Sequence, residues 1–275
     1  MGGKVVVTGA STGIGEATAH HLKRLGFEVH AGVRKPEDAE RLRAAGLAPL
    51  TLDVTDSQSI AAARSQIGDG PLAGLVNNAG VAVSGPVEFV PIEELRRQLE
   101  VNLIGQVAVT QAFLPQLRQG GGRVVNVSSI GGRVALPLMS PYNASKFGLE
   151  AVSDSLRREL RHLGVKVIVV EPGGVKTPIW RKGNSAADEL LASAPPEAES
   201  LYGDMVQSLR EEADKIDRER GLPPEAIAEV IGESLTSRRP RTRYLVGRDA
   251  KVRARAAALL PDRVMDALIA RTLSR

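Results

Sequence analysis

Short apolar segments alternate with helical segments from the beginning of this chain. The strand-like segments are Lys4 to Val7, Phe27 to Val33, Leu47 to Leu52, Ala73 to Asn77, Arg123 to Ser128 and Val165 to Val170. The predicted helices are a first one ending near Leu25, then Pro36 to Ala45, Asp56 to Ile67, Pro91 to Gln119 and Ser140 to Leu163. This strict alternation favours a parallel sheet covered by helices on both faces. It predicts an α/β fold, a doubly wound parallel sheet in one domain spanning 1–275, with ligands at the carboxyl ends of its strands.

The composition limits the kind of protein. Hydrophobic residues make up 43% of the chain and aromatic residues 3%, so the core must be aliphatic. The absence of cysteine excludes disulfides and thiolate metal sites and is consistent with a reducing compartment. The four histidines show no metal-binding spacing, so we expect no metal. No apolar run approaches the roughly 18 residues that a membrane span needs, and a strand begins too early for a signal peptide. We expect a cytoplasmic protein.

Positive charge is concentrated at the end of the chain. The net charge is +4, yet residues 238–275 contain 11 Lys/Arg and 3 Asp. This basic C-terminal extension lacks interleaved aromatic residues and follows no nucleic-acid-binding motif, so we expect no nucleic-acid partner. Its last part, Val252 to Leu273, is both apolar and basic. It is expected to pack against the body of the protein or a second subunit; contact with a membrane surface is the alternative.

A glycine-rich turn lies directly between the first strand and the first helix. Gly9, Gly13 and Gly15 have the spacing Gly-x-x-x-Gly-x-Gly. Glycine lets the backbone approach a phosphate closely, and the N-terminus of a helix offers free N–H groups. In this context the turn predicts a site for the pyrophosphate of a dinucleotide, with a merely tight turn as the alternative.

The end of the second strand indicates which dinucleotide binds. An NAD-binding fold commonly places a carboxylate about 20 residues after the central glycine. This position is Val33, followed by Arg34 and Lys35, so cations stand where an acid would be expected. Two cations favour a 2′-phosphate and hence NADP(H). The alternatives are NAD(H) as cofactor and a solvated strand-end position for Arg34.

A tyrosine and a lysine are placed one turn apart on the helix that begins near residue 140. Ser140 is predicted to be its N-cap and Pro141 its first residue. Tyr142 then lies in the first turn, and Lys146 follows on the same helix face. The helix N-terminus and the ammonium are both expected to lower the pKa of Tyr142, as general acid–base catalysis requires. A solvated helix face is the alternative for this pair taken alone.

Together these motifs resemble the classical short-chain dehydrogenases/reductases over nearly the whole chain. The matching segments are Thr8 to Gly15, Leu52-Asp53-Val54, Asn77 to Gly80, Asn102, Val127-Ser128-Ser129, Tyr142 with Lys146, and Pro172 to Thr177. The resemblance implies an NAD(P)-dependent oxidoreductase that interconverts alcohols with ketones or aldehydes. It also implies a homodimer or homotetramer.

The resemblance assigns roles to individual residues. Tyr142 would be the general acid/base, Lys146 would hold the nicotinamide ribose, and Ser129 rather than Ser128 would polarise the substrate. Asn102 would anchor a water in the proton relay, or cap a helix irregularity, or both. The implied cofactor-binding residues, besides Arg34, Lys35, Tyr142 and Lys146, are Gly9, Ser11, Thr12, Gly13, Ile14, Gly15, Asp53, Val54, Asn78, Ala79, Gly80, Pro172, Gly173, Val175 and Thr177. A non-catalytic NADP(H)-binding regulatory module is a rival class, disfavoured by the intact Ser129, Tyr142 and Lys146.

The substrate is less constrained than the cofactor. Residues 178–221 are predicted to form a helical lid, and three loops converge on the expected site. Their apolar members are Val81, Val83, Val134, Leu136, Leu138, Met139, Ile179 and Trp180, of which some are expected to belong to the core. We predict a hydrophobic alcohol or ketone, with Leu136, Met139 and Trp180 as substrate contacts. Arg133 and Lys182 leave an acidic substrate open.

The basic C-terminal extension shows a second, local resemblance. Pro240 to Tyr244 and Gly247 to Lys251 resemble the retinol, hydroxysteroid and hydroxybutyrate dehydrogenase branch. This resemblance implies a steroid-, retinoid- or lipid-like substrate. It also keeps an NAD-dependent hydroxy-acid or retinol-type dehydrogenase as the alternative.

Overall fold

The computed structural model describes residues 2–180, 183 and 194–273, with the side chains of 272 and 273 excluded. Its strands are β1 (Lys4–Val7), β2 (Glu28–Val33), β3 (Ala48–Thr51), β4 (Leu72–Asn77), β5 (Arg123–Val127), β6 (Lys166–Pro172) and β7 (Arg243–Val246). All neighbouring strands are parallel, in the order β3-β2-β1-β4-β5-β6-β7. The predicted doubly wound parallel sheet is confirmed. Its order reverses between β1 and β4, where such sheets bind their ligands.

Helices flank this sheet along the described chain. They are α1 (Gly13–Arg24), α2 (Pro36–Ala44), α3 (Ser57–Ile67), α4 (Ile92–Leu99), α5 (Gly105–Gly120), α6 (Ser140–Glu159), α7 (Glu197–Lys215), α8 (Pro224–Thr236), α9 (Arg248–Leu259) and α10 (Asp262–Leu273). Short 3₁₀ turns cover Ile130–Gly132 and Arg161–Leu163. The predicted lid is helical over α7, while 181–182 and 184–193, which include Lys182, lie outside the described residues.

The two faces of the sheet are buried in separate apolar clusters. On β1, Val5 and Val7 belong to one cluster, together with Leu22 of α1 and Ile231 of α8. Val6 points the other way, into a cluster that includes Phe113 of α5. Successive strand residues face opposite sides of a sheet, so an uninterrupted Val-Val-Val strand is stable only when helices cover both faces.

The helical region predicted over Pro91 to Gln119 is not one regular helix. A π-helical turn, Glu100–Ile104, separates α4 from α5. Asn102 lies inside this turn and is completely buried. Such turns widen the helix by one residue and often occur at functional sites. The helix irregularity that we gave as one reading of Asn102 is therefore present.

One local expectation was wrong, and one strand was missed. Helix α6 begins at Ser140 with Met139 as its N-cap, and the Ser140 hydroxyl is buried without a hydrogen-bond partner among the described residues. Ser140 is therefore not the N-cap. Strand β7 was not predicted, because a four-residue strand that begins with an arginine has little apolar pattern of its own. Pairing with β6 creates it: Val170 is the register partner of Tyr244.

Candidate active site

The glycine-rich turn adopts a conformation that only glycine accommodates easily. Gly9 and Gly13 have φ angles of 64° and 59°, in the left-handed region. A Cβ atom on Gly15 would lie 2.2 Å from the carbonyl oxygen of Gly9, so the start of α1 touches the backbone of the turn. Thr12 precedes α1 and makes no side-chain capping hydrogen bond. The first N–H groups of α1 thus have no capping side chain, as a bound pyrophosphate would require.

Strand β4 holds this turn in place. The Thr8 hydroxyl accepts hydrogen bonds from the backbone N–H groups of Asn78 and Ala79, both at 2.9 Å. The Asn78 amide donates to the carbonyl oxygens of Thr8 and Gly9, both at 3.0 Å. Asn78, predicted to stand beside the adenosine ribose, therefore also fixes the turn through its side chain. These contacts hold the two predicted cofactor-binding segments together as one unit.

The ends of β2 and β3 place one predicted cation at the site. Arg34 Nη1 lies 4.0 Å from Asp53 Oδ2, and both residues line the central cavity. Burial raises the pKa of the Asp53 carboxyl, but two hydrogen bonds from Thr55 and the charge of Arg34 outweigh it and lower that pKa overall. Lys35 is exposed and does not line the cavity. Of the two predicted cations, only Arg34 reaches it.

Arg41 helps to hold the glycine-rich turn in place, a role that the sequence did not indicate. It projects from α2, donates to the carbonyl oxygen of Ser11 and pairs with Glu16 of α1. The glycine-rich turn is thereby tied to α2 from outside. Because the partners are distant in sequence, no local motif marks this contact.

Ser129, Tyr142 and Lys146 meet at the carboxyl end of β5. Lys146 is buried, its Nζ donates to the carbonyl oxygen of Val127 at 2.8 Å, and it lies 5.8 Å from the centre of the Tyr142 ring. A Cβ atom on Gly131 would lie 3.1 Å from a Tyr142 ring carbon and 3.4 Å from the Ser129 hydroxyl. The Ser129 hydroxyl also accepts from the Gly131 N–H at 3.0 Å. The structure thus brings the predicted catalytic side chains together.

The electrostatics of this group differ from our expectation. Burial raises the pKa of Tyr142, and a hydrogen bond with Ser129 opposes that rise. Burial also lowers the pKa of Lys146 to about 8, against the negative charge of Glu150. Desolvation disfavours the charged form of each group. The predicted lowering of the Tyr142 pKa was therefore wrong, because burial raises it.

Asn102 is locked against the neighbouring loop. Its Oδ1 accepts from the Val81 N–H at 2.9 Å, and its Nδ2 donates to the Val81 carbonyl at 3.0 Å and to the Ser145 hydroxyl at 3.2 Å. These bonds fix the loop after β4. Ser128 donates its backbone N–H to the carbonyl oxygen of Val170 at 2.8 Å, so it acts as a backbone partner at the end of the strand.

One cavity of about 1330 Å³ joins these groups. Every predicted catalytic residue lines it, as do the predicted substrate contacts Leu136, Met139 and Trp180. The predicted cofactor residues that line it are Gly9, Ser11, Thr12, Gly13, Ile14, Arg34, Asp53, Val54, Asn78, Ala79, Gly80, Tyr142, Lys146, Pro172, Gly173, Val175 and Thr177. Gly15 and Lys35 do not line the cavity. Val83 and Leu138 do not line it either, and both are buried in the protein.

Arg133 is not available for an acidic substrate. Its Nε lies 2.6 Å from Oε1 of the fully buried Glu171, and it does not line the cavity. The expectation that Arg133 could bind an acidic group was therefore wrong. Its charge is committed to a carboxylate inside the protein.

The C-terminal helices form a wall of the cavity that sequence reasoning missed. The basic extension does pack against the body: Ala250 and Ala254 of α9 contact Ile130 and Val134 in a small apolar cluster. The cavity-lining residues of α9 and α10 are Arg248, Asp249, Val252, Arg253, Ala256, Met265, Leu268 and Ile269. No short-range motif identifies such residues, because helices and sheet meet only in the folded chain.

No group of three or more His, Cys, Asp or Glu among the described residues is arranged to hold a metal ion. None of the helices in this part of the chain is long and apolar enough to cross a membrane.

Comparison with known proteins agrees with the geometry of the site. The model of the short chain dehydrogenase family matches residues 3–188. The chain is 38% identical to NADPH-dependent 3-dehydrocapnine reductase of Ornithobacterium rhinotracheale, covering 98% of this chain and 97% of that protein. It is also 38% identical to retinol dehydrogenase 5 of Mus musculus, covering 98% and 89%.

A solved structure shows the same architecture. A short chain dehydrogenase from Burkholderia cenocepacia, in complex with NADP, superposes with a TM-score of 0.75 at 29% identity, covering 100% of this chain and 98% of that one. The family model and the long alignments at 38% identity leave one conclusion. This chain belongs to the short-chain dehydrogenase family and is an oxidoreductase.

Proposed function

We propose that this protein is an NADP(H)-dependent oxidoreductase that interconverts a secondary alcohol and a ketone, or a primary alcohol and an aldehyde, on a hydrophobic substrate. The observation that carries the proposal is the meeting of Ser129, Tyr142 and Lys146 beside a large, mainly apolar cavity. A relative named as an NADPH-dependent reductase and a structure bound to NADP support this choice of cofactor.

The nicotinamide, when bound, supplies the hydride. The protein's own groups orient the reactants and handle the proton. Ser129 and the Tyr142 hydroxyl point toward the same space, so both can donate a hydrogen bond to a substrate carbonyl oxygen. Tyr142 then gives its proton to that oxygen in reduction and removes it in oxidation.

Lys146 provides the positive charge behind this proton transfer. Its ammonium is buried and anchored on the Val127 carbonyl, which leaves its remaining N–H donors for the hydroxyls of the cofactor ribose. A fixed cation beside the tyrosine stabilises the phenolate that forms as the proton leaves. This effect opposes the burial that raises the pKa of Tyr142.

The cavity wall supports a steroid-, retinoid- or lipid-like substrate. Leu136, Met139, Trp180 and Met265 supply apolar surface on different sides. The Trp180 indole N–H is already bonded to the Val175 carbonyl at 2.9 Å, so the ring presents its apolar surface. Burial of apolar area then provides most of the binding energy.

The test is turnover with NADPH and with NADH against a panel of steroid, retinoid, long-chain aliphatic and hydroxy-acid substrates, in both directions. We expect activity on a hydrophobic member and a higher kcat/KM with NADPH. Tight NADPH binding without turnover on any member would favour the regulatory module instead. Faster turnover of a small hydroxy acid with NADH would support the alternative dehydrogenase.

A second substrate class has one observation in its favour. Arg253 of α9 is half-buried, lines the cavity and forms no ion pair within the part of the chain that the structure describes. It would suit an apolar substrate with an anionic end. In that case Arg253→Met raises KM for the anionic member of a matched substrate pair only. The exposed Arg255→Met, which does not touch the cavity, is the control.

A further inference from the structure

Two buried carboxyl groups lie behind the catalytic residues. Glu171, the residue before Pro172 in β6, is fully buried. Glu150 lies on α6 one turn after Lys146, and its side chain is 11% exposed. Two buried carboxylates in contact repel each other and are costly unless charges or protons compensate them.

Arginines satisfy one oxygen of each group. Glu171 Oε1 accepts from Arg133 Nε at 2.6 Å, and Arg243 Nε lies 3.5 Å from the same oxygen. Glu150 Oε2 accepts from Arg243 Nε at 3.1 Å. Arg243 also pairs with Asp154 at 2.8 Å, so its charge is divided among three acids.

The second oxygen of each group lacks a donor. Glu150 Oε1 and Glu171 Oε2 are both buried without a hydrogen-bond partner among the described residues. The two carboxyl groups are neighbours, because Arg243 Nε lies 3.1 Å from Glu150 Oε2 and 3.5 Å from Glu171 Oε1. Two carboxylates cannot hydrogen-bond to each other, because each is only an acceptor. One proton converts one acceptor into a donor and satisfies both oxygens.

We propose that Glu150 and Glu171 share one proton and act as a positioning pair that sets the charge behind Lys146. The pair joins α6, which carries Tyr142 and Lys146, to the end of β6, where the predicted cofactor segment begins. Burial raises the pKa of Glu171 to about 7; Arg133 opposes this rise and Glu150 adds to it. The shared proton is therefore present below neutral pH and lost above it.

The charged groups around the pair are the ones whose ionisation it can affect. They are Lys146 and Asp154 from α6, Arg133 from the loop after β5, and Arg243 from β7. Asp249 of α9 is not one of them, because it accepts a hydrogen bond from the Gly174 N–H at 2.9 Å beyond the end of β6. Only Lys146 among them belongs to the proposed catalytic group, and the negative charge of Glu150 raises its pKa. Glu150 therefore helps Lys146 to keep its proton.

The first test needs no substrate and does not rest on the proposed function. Infrared difference spectra of the full-length protein, recorded between pH 5 and 8.5, detect the C=O stretch of a protonated carboxylic acid. We expect one such band with a midpoint near neutral pH, because exposed carboxyls are ionised throughout most of this range. The band should disappear in Glu171→Gln and persist in the control Glu94→Gln, whose carboxylate forms an exposed helix pair.

The second test rests on the proposed role of Lys146. Glu150→Gln removes the nearest negative charge, so the alkaline limb of the kcat/KM profile should move about one pH unit lower. Glu171→Gln keeps the Glu150 carboxyl beside Lys146 and should move the alkaline limb less. A merely structural role would reduce kcat without moving the limb.

The two tests separate the possible failures. The absence of a protonated carboxyl in the wild-type protein, or its persistence in Glu171→Gln, would overturn the shared proton even if the enzyme is active. If the variants do not fold, the wild-type titration still decides this point. A band with the expected behaviour and an alkaline limb that stays unmoved in Glu150→Gln would overturn the link to Lys146.

Discussion

The region up to Thr177 and the C-terminal cover formed by α7, α9 and α10 build the same cavity by different means. In the first region, the site residues follow strand ends and are held by short hydrogen bonds, such as the 2.8 Å bond from Lys146 to Val127. In the cover, the residues lie on helices and contribute mostly surface; Leu268 lines the cavity and is still 44% exposed. The proposed catalytic residues are thus held by the sheet, whereas the proposed substrate wall is built from helix side chains that can vary without disturbing the sheet.

The largest predicted effect is a difference in kcat between two Tyr→Phe substitutions, one in each region. Tyr142→Phe removes the proposed proton donor and should reduce kcat by roughly 10²- to 10⁴-fold, with little change in NADPH binding. Tyr202→Phe on α7 removes only a hydrogen bond to Glu88 and should leave kcat nearly unchanged. Steady-state kinetics and cofactor fluorescence titration measure these effects. Equal losses in both variants would refute the special role of Tyr142.

A smaller effect is expected at the cofactor end of the first region. Arg34→Ala should weaken NADPH binding by roughly 10- to 100-fold, because a charged hydrogen bond contributes about 1.5–3 kcal/mol, and should hardly affect NADH. Lys35→Ala is the matched control, since Lys35 does not line the cavity. Dissociation constants for both cofactors are the readout. A similar loss for NADPH and NADH in Arg34→Ala would contradict the 2′-phosphate assignment.

The smallest effect is expected in the cover. Met265→Ala removes apolar surface equivalent to about two methylene groups, worth roughly 1.6 kcal/mol, so KM for a bulky apolar substrate should rise about 10-fold. The kcat should change little, because this contact does not depend on the transition state. Val264→Ala is the control on the adjacent residue, which is exposed and does not line the cavity. An unchanged KM in Met265→Ala would mean that Met265 does not contact the substrate.

Local sequence was sufficient where geometry is local. Tyr142 and Lys146 are four residues apart on one helix, and a parallel sheet aligns the ends of β1, β4 and β5 at one edge. The meeting of these groups could therefore be predicted. The capping role of Ser140 could not, because Met139 takes that position while the Ser140 hydroxyl is buried. The lowering of the Tyr142 pKa also failed as a prediction, since it depends on burial.

The order of segments along the chain determined the sheet, the cofactor turn and the candidate catalytic residues, because each depends on contacts within a few residues or on strand-end alignment. The tertiary structure alone decided that Arg133 is committed to Glu171, that Arg34 rather than Lys35 reaches the cavity, and that the basic extension becomes a wall of the site. These outcomes depend on burial and on contacts between distant residues. Neither leaves a periodic trace in the sequence.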